Sequence, residues 1–108
     1  LIAHDTYFEI DTPFYGGCVV LTAYSTFETY PQPVASGFFY FDVGLSLHLH
    51  KLEGGHPNLV VSTETSTTAG DHADNKIVVT PVGTSTKKLR VWWRFTSPST
   101  GYIRWTFL

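Results

Sequence analysis

Short apolar segments with a period of two constrain this chain more than any other feature of its sequence. In the segment from Leu89 to Phe95, every second residue is large and apolar, whereas Arg90, Trp92 and Arg94 hold the alternate positions. A period of two puts successive side chains on opposite faces of a β-strand, so one face is predicted to be buried. The segment from Leu45 to Leu52 alternates in the same way, with leucines on one side and a serine and two histidines on the other.

Further β-branched and aromatic runs are separated by clusters rich in proline, glycine and polar residues, as in antiparallel β-proteins. Composition agrees, because five alanines stand against fifteen threonines and seventeen aromatic residues, a balance that favours strands over helices. We therefore predict an all-β fold, an antiparallel β-sandwich or jelly roll of about eight strands. The other predicted strands are Tyr7–Ile10, Cys18–Tyr24, Phe38–Val43, Asn58–Ser62, Lys76–Thr80 and Tyr102–Leu108.

The connections between these segments carry their own predictions. The proline- and glycine-containing stretch Ser97 to Gly101 is typical of a hairpin loop and is expected to join the last two strands directly. The threonine-rich stretch Thr63 to Asn75 and the stretch Thr26 to Ser36 are expected to be loops that face outward. No helix is predicted apart from a single turn around Thr65 to Ala69.

Length, charge and cysteine content exclude several classes of function. The 108 residues form a single β domain, 1–108. The absence of methionine and of a signal peptide predicts that it was cut from a longer polypeptide. A net charge of -2 and no long apolar run argue against direct nucleic-acid binding and membrane insertion. Cys18 is the only cysteine. It can form no internal disulfide, and we expect it to be a buried structural residue.

Two groups of residues suggest a metal site, and neither is complete. His48 and His50 share one face of a predicted strand and could direct two imidazoles at one ion, with His56 following in a loop. Asp71 and Asp74 alternate oxygen donors but lack the spacing of an EF-hand. Polar surface residues and a polar turn explain them as well. We therefore predict no metal, no cofactor and no catalytic residue, with a small hydrolase or cupin-like enzyme using the histidines as a lesser alternative.

The most unusual exposed set is a tryptophan between two arginines, Arg90, Trp92 and Arg94. Exposure of an indole ring to water is energetically unfavourable, so two interpretations are open. These side chains form a platform that binds a partner or a sugar, or they form a second core layer in a sheet covered on both sides. Phe38 and Tyr40 pose the same question, because both faces of their strand are aromatic. The sequence leaves these alternatives open.

Several of these features resemble one family. The opening strand with Asp11-Thr12-Pro13, the run Ser36 to Val43 and the closing segment Trp92 to Leu108 occur in a methionine-free β domain with no disulfide. In style the chain is similar to the protruding domain of small icosahedral RNA virus coat proteins, of the tombusvirus and shrimp-nodavirus type. The resemblance implies a compact jelly roll on the virion surface that pairs into spikes and attaches to the host cell.

We therefore expect a non-enzymatic capsid spike domain that forms a homodimer and binds a host-cell receptor or glycan. The alternative is a carbohydrate-binding module that stacks sugar rings on Trp92 and Tyr102. In the first hypothesis a second copy, or another partner, covers part of the aromatic surface. The residues predicted for that face are Phe38, Tyr40, His48, His50, Arg90, Trp92 and Arg94.

Overall fold

The computed structural model describes residues 2–26, 31–52 and 54–108. The predicted all-β fold is confirmed, and the extra strand relative to the expected eight is the two-residue β1. One short 3-10 helix, Ala69–Asp71, lies close to the predicted turn. The strands are β1 (Ile2–Ala3), β2 (Thr6–Asp11), β3 (Gly16–Ser25), β4 (Pro33–Asp42), β5 (His48–Lys51), β6 (Leu59–Val61), β7 (Ile77–Pro81), β8 (Lys88–Trp93) and β9 (Thr100–Phe107).

The strands form two sheets that pack face to face as a β-sandwich. The five-stranded sheet has the order β1-β9-β3-β4-β5, and the four-stranded sheet has the order β2-β8-β7-β6. All neighbouring strands are antiparallel except β6 and β7, which run parallel. Parallel neighbours need a long crossover connection instead of a tight turn, so a long segment must join β6 to β7.

The core lies between the two inner faces and follows the period of two. Residues of β3 and β4 alternate so that Val19, Leu21, Phe39 and Phe41 are buried, with at most 1 % of each exposed. From the other sheet, the predicted apolar face of β8 supplies the facing layer, which includes the fully buried Trp93. The inner face predicted for β8 is therefore the one that the structure buries.

The expected hairpin between the last two strands is absent, because β8 and β9 belong to different sheets. The connection passes over the end of the core, where the indole Nε1 of Trp93 donates a hydrogen bond to the carbonyl oxygen of Pro98 at 2.9 Å. Gly101 then lies against the same indole ring. The proline and glycine residues correctly predicted a break between two strands. They could not specify which sheet the second strand joins.

The alternation from Leu45 to Leu52 predicts a longer strand than the structure shows. Pairing between β4 and β5 begins only at Asp42 and His48, so the residues between them form the connecting loop. Leu45 lies in that loop and is 99 % exposed. Of Leu45, Leu47 and Leu49, which the alternation places on one face, only Leu49 is buried, because it alone lies within β5.

The segment from Ser62 to Lys76 is the crossover that joins the parallel strands β6 and β7. It runs over the outer face of the four-stranded sheet, where the ring centroid of His72 lies 4.5 Å from that of Trp92 and the carbonyl of Thr65 accepts a hydrogen bond from Arg90 at 3.3 Å. The prediction that Thr63 to Asn75 is an exposed loop is confirmed, since it has no regular structure apart from the 3-10 turn and all but three of its residues are exposed. What the sequence did not predict is that one of them, His72, is buried against the sheet. Of the second predicted loop, Thr26 to Ser36, residues 27–30 lie outside the described part of the chain, and the rest includes the first residues of β4.

Candidate functional site

The seven residues predicted for one partner-binding face lie on two opposite faces of the sandwich. Arg90, Trp92 and Arg94 project from the outer face of the four-stranded sheet, whereas Phe38 and Tyr40, with the two histidines, belong to the outer face of the five-stranded sheet. No single partner surface includes both groups. The two faces also differ in whether the chain itself covers them.

Trp92 is covered by its own chain. Its ring centroid lies 4.5 Å from that of Tyr7 on β2 and 4.5 Å from that of His72 in the crossover segment. Its Nε1 donates to the hydroxyl of Thr80 at 3.1 Å. With 1 % of its surface exposed, Trp92 is unable to stack on a sugar or meet a partner. It belongs to a second core layer, which was the competing interpretation of this sequence pattern.

The two arginines beside Trp92 hold the crossover segment and the N-terminal turn in place. Arg94 is paired with the carboxylates of Asp5 and Asp74. The guanidinium of Arg90 lies 4.9 Å from the centre of the Tyr7 ring and donates to the carbonyl of Thr65 at 3.3 Å. Both arginines are almost fully buried. Both guanidinium groups therefore have their partners within one copy, as a buried charge requires.

His72 is the titratable group within this covered layer. Its side chain is buried, with 8 % exposed. Within the described part of the chain its Nε2 has no hydrogen-bond partner. Burial lowers the pKa of His72, and the positive charge of Arg94 acts in the same direction, whereas Glu64 and Asp71 oppose the shift. The neutral imidazole is thus the form that fits against Trp92.

The outer face of the five-stranded sheet carries an apolar surface that the described residues leave open. We call Cys18, Val20, Phe38 and Tyr40 the outer patch. In the antiparallel pairing of β3 with β4, Cys18 lies opposite Tyr40 and Val20 opposite Phe38, and directly opposed residues share a face. Val20 is 40 % exposed and Tyr40 is 37 % exposed. None of the four side chains is charged, and Cys18 is half-buried instead of internal as predicted.

His48 and His50 border the outer patch on the edge strand β5. Their rings are stacked with centroids 6.3 Å apart, and the ring of Tyr40 lies edge-on to His48 at 5.9 Å. Across residues 2–26, 31–52 and 54–108, no group of three or more His, Cys, Asp or Glu side chains could hold a metal ion.

The other proposed ligands have partners of their own. The carboxylate of Asp71 accepts a hydrogen bond from the Ser66 hydroxyl, and that of Asp74 is paired with Arg94. His56 accepts a hydrogen bond at Nδ1 from the Asn58 N–H at 3.0 Å. The structure therefore does not bring the candidate metal ligands together.

A pair of neighbouring tyrosines, Tyr24 and Tyr102, was only half visible in the sequence; Tyr24 is half-buried and Tyr102 is exposed. Tyr102 was singled out there, but its neighbour Tyr24 was not, because the two meet through the pairing of β3 with β9. Together with Pro31 and Arg104 they line a shallow depression on the outer face of the five-stranded sheet. Only the strand register reveals this pair, since 78 residues separate its members in the chain.

Comparison with protein-family models, with curated proteins and with solved structures gives no match for this chain. Within the described residues, the structure has no helix whose length and apolar character would allow it to cross a bilayer.

Proposed function

We propose that this domain is a non-enzymatic spike domain of the capsid-protein type, which pairs with a second copy through the outer patch and carries loops that attach to the host cell. The observation that supports pairing is the outer patch itself. It lies on β3 and β4, which have a neighbouring strand on each side. A strand whose sequence is apolar throughout is normally covered on both faces. One face of that apolar run is covered by the core, whereas on the other Val20 and Tyr40 are exposed and Cys18 and Phe38 are half-buried.

The surroundings of this face fit a dimer contact, and its size fits a small one. The five strands contain 34 residues, each about 4.8 Å by 3.3 Å, so the sheet has a flat area of roughly 540 Å². A standard-sized interface buries about 800 Å² on each partner, so a contact of that size would also include the surrounding loops. The charged and titratable side chains on this face, among them Asp42, His48 and Arg104, lie around the outer patch. An uncharged centre with a polar rim is the usual anatomy of a protein interface.

Substitution of Val20 by arginine tests this pairing. Val20→Arg puts a charge at the centre of the outer patch, so we expect the dimer dissociation constant to rise by more than about tenfold. Leu45→Arg is the matched control, because it makes a similar change at a fully exposed loop position outside the patch. Sedimentation velocity over a concentration series measures both variants, and circular dichroism verifies the fold. Equal association of the two variants would refute pairing through the outer patch.

The tyrosine pair supports a second candidate function, binding of a glycan. Tyr102 is 48 % exposed, and neighbouring aromatic rings beside an arginine offer stacking and hydrogen bonding to a sugar. This site replaces the predicted one on Trp92, which is buried. A monomeric domain that binds glycans on an array, and loses that binding in Tyr102→Ala, would favour this function over self-association.

A further inference from the structure

The last strand of the five-stranded sheet has an open edge. On one side β9 pairs with β3 along most of its length, from Gly101 to Phe107. On the other side, the pairing with β1 covers only Thr100 and Gly101. Within the described parts of the chain, the stretch from Ile103 to Phe107 therefore has no neighbouring strand on that side.

The phase of the ladder identifies which backbone groups face the open edge. The Leu108 N–H donates to the carbonyl of Cys18 at 3.0 Å, so even-numbered residues of this strand direct their N–H and C=O groups toward β3. Both groups of one residue point to the same side in an antiparallel ladder. Ile103, Trp105 and Phe107 therefore present three N–H and three C=O groups to the open edge.

The side chains of two of these residues, Ile103 and Trp105, line an open groove between the two sheets. Trp105 lies opposite the fully buried Leu21 in the ladder, yet 41 % of its surface is exposed. Its ring centroid is 5.6 Å from that of Phe8 on β2. The groove has a volume of about 480 Å³ and is also lined by Ile2. The sandwich is thus incompletely closed along this side.

Nothing in the sequence of this edge prevents it from pairing. Proteins usually protect a free edge with proline, lysine, a bulge or a very short strand. Between Tyr102 and Phe107 there is no proline and no lysine, and the pairing with β3 is regular. Arg104 is the one charge, and it projects from the outer face. Such an edge is a template for a second strand.

We propose that the occupant is β9 of a second copy, paired antiparallel about a two-fold axis centred on Trp105. A two-fold axis perpendicular to the sheet pairs residues whose side chains lie on the same face. Such residues are an even number of positions apart in β9, so the axis lies between one residue and the same residue of the second copy. Centring on Arg104 would oppose two like charges, which is unfavourable. Centring on Trp105 places Ile103 opposite Phe107 of the partner, apolar against apolar.

This register satisfies every open backbone group. Trp105 exchanges two hydrogen bonds with its symmetry mate, and each pairing of Ile103 with Phe107 adds two more. The three N–H and three C=O groups of each copy therefore form six bonds between the copies. The contact is isologous, as closed dimers require. It also brings two indoles into the grooves and makes the five-stranded sheets of the two copies continuous.

The inference rests on the proposed self-association and adds a second contact to it, so its test must separate the two. Amide hydrogen exchange of the wild-type domain, followed by NMR at rising protein concentration, gives an alternating signature. The amides of Ile103, Trp105 and Phe107 are expected to gain protection as copies associate. Those of Arg104 and Thr106 already bond to β3 and are expected to change little. If the odd-numbered amides stay unprotected while the domain associates, the edge contact is wrong and self-association stands.

A charge pair tests the register itself. In this register Thr106 lies opposite Arg104 of the other copy, on the outer face. Thr106→Glu creates two opposite-charge pairs and Thr106→Lys two like-charge pairs. Each pair is a cross-strand contact of modest strength, so the dissociation constants are expected to move in opposite directions by about 2- to 30-fold. Both variants change an exposed side chain, so the fold is retained.

These two variants are made in the Tyr40→Arg background, which puts a charge into the outer patch on β4, two strands away from β9. Val20→Arg is not used here, because Val20 lies directly opposite Thr106 in the pairing of β3 with β9. Residual association that is stronger for Thr106→Glu than for Thr106→Lys supports the edge contact. If the Tyr40→Arg background alone is monomeric at all concentrations, the edge inference fails while the outer patch stands. If Tyr40→Arg leaves association unchanged and the odd-numbered amides are protected, the edge contact stands and pairing through the outer patch fails. A monomeric wild-type domain overturns both.

Discussion

Replacement of Trp92 by alanine is expected to destabilise the domain severely. The indole is 1 % exposed and a side chain of this size buries roughly 200 Å², which at about 25 cal/mol per Å² corresponds to about 5 kcal/mol. Measured Trp→Ala changes in cores cost about 3–5 kcal/mol. We therefore expect a loss of about 4 kcal/mol, a large part of the roughly 5–15 kcal/mol that stabilises a domain of this kind.

Trp105→Ala is the matched control, because Trp105 has the same side chain with 41 % of its surface exposed. The same area count gives an upper limit of about 3 kcal/mol, and water already reaches the site, so we expect a cost of about 2 kcal/mol. Urea unfolding followed by far-ultraviolet circular dichroism, at a concentration where the wild-type domain is monomeric, measures both. Trp92→Phe keeps an aromatic ring but loses the hydrogen bond to Thr80, so it is expected to fold with a cost of about 1–2 kcal/mol.

The reasoning would be refuted if Trp92→Ala cost no more than Trp105→Ala. It would also be refuted if Trp92→Phe folded normally but lost self-association. Either result would mean that Trp92 is accessible to a partner, and that the crossover segment is not the cover of the four-stranded sheet.

Two further predictions concern the same packing. Because burial lowers the pKa of His72, the unfolded chain binds the proton first as the pH falls through about 6.5. Its neutral ring therefore contributes fully above that pH and progressively less below it. Urea unfolding should show a smaller difference between wild type and His72→Gln at pH 5.5 than at pH 7.5, and a constant difference would contradict the burial. Gly101→Ala should cost about 3 kcal/mol, because a Cβ there would overlap the ring of Trp93 and a backbone carbonyl of β3. Gly70→Ala, with open space around it, should change thermal stability little.

Strand positions were largely predictable from the sequence, because the period of two is a local property. The strands around Val19, Phe39 and Val91 were placed correctly, since each lies in a run where β-branched or aromatic residues recur at close spacing. Strand ends were less predictable. The leucine alternation continued through Leu45 into a loop, because pairing with β4 decides where β5 begins.

The candidate sites were predictable only in part. The sequence singled out Phe38 and Tyr40 because both faces of their strand are aromatic; in the structure Phe38 is half-buried and Tyr40 is partly exposed. Trp92 showed the same pattern in the sequence but is covered. The pattern of residues is alike in the two cases, and the difference is a segment remote in sequence that lies over one of them.

By itself the sequence determined that this chain forms strands, and which face of most of them enters the core, because alternation fixes side-chain direction residue by residue. The tertiary structure decided which outer faces and edges stay open. That choice depends on the parallel pairing of β6 with β7, which sends residues 62–76 across the four-stranded sheet, and on how short β1 is beside β9. Pairing between distant segments is a balance of burial and chain closure over the whole molecule, and no local pattern of residues records it.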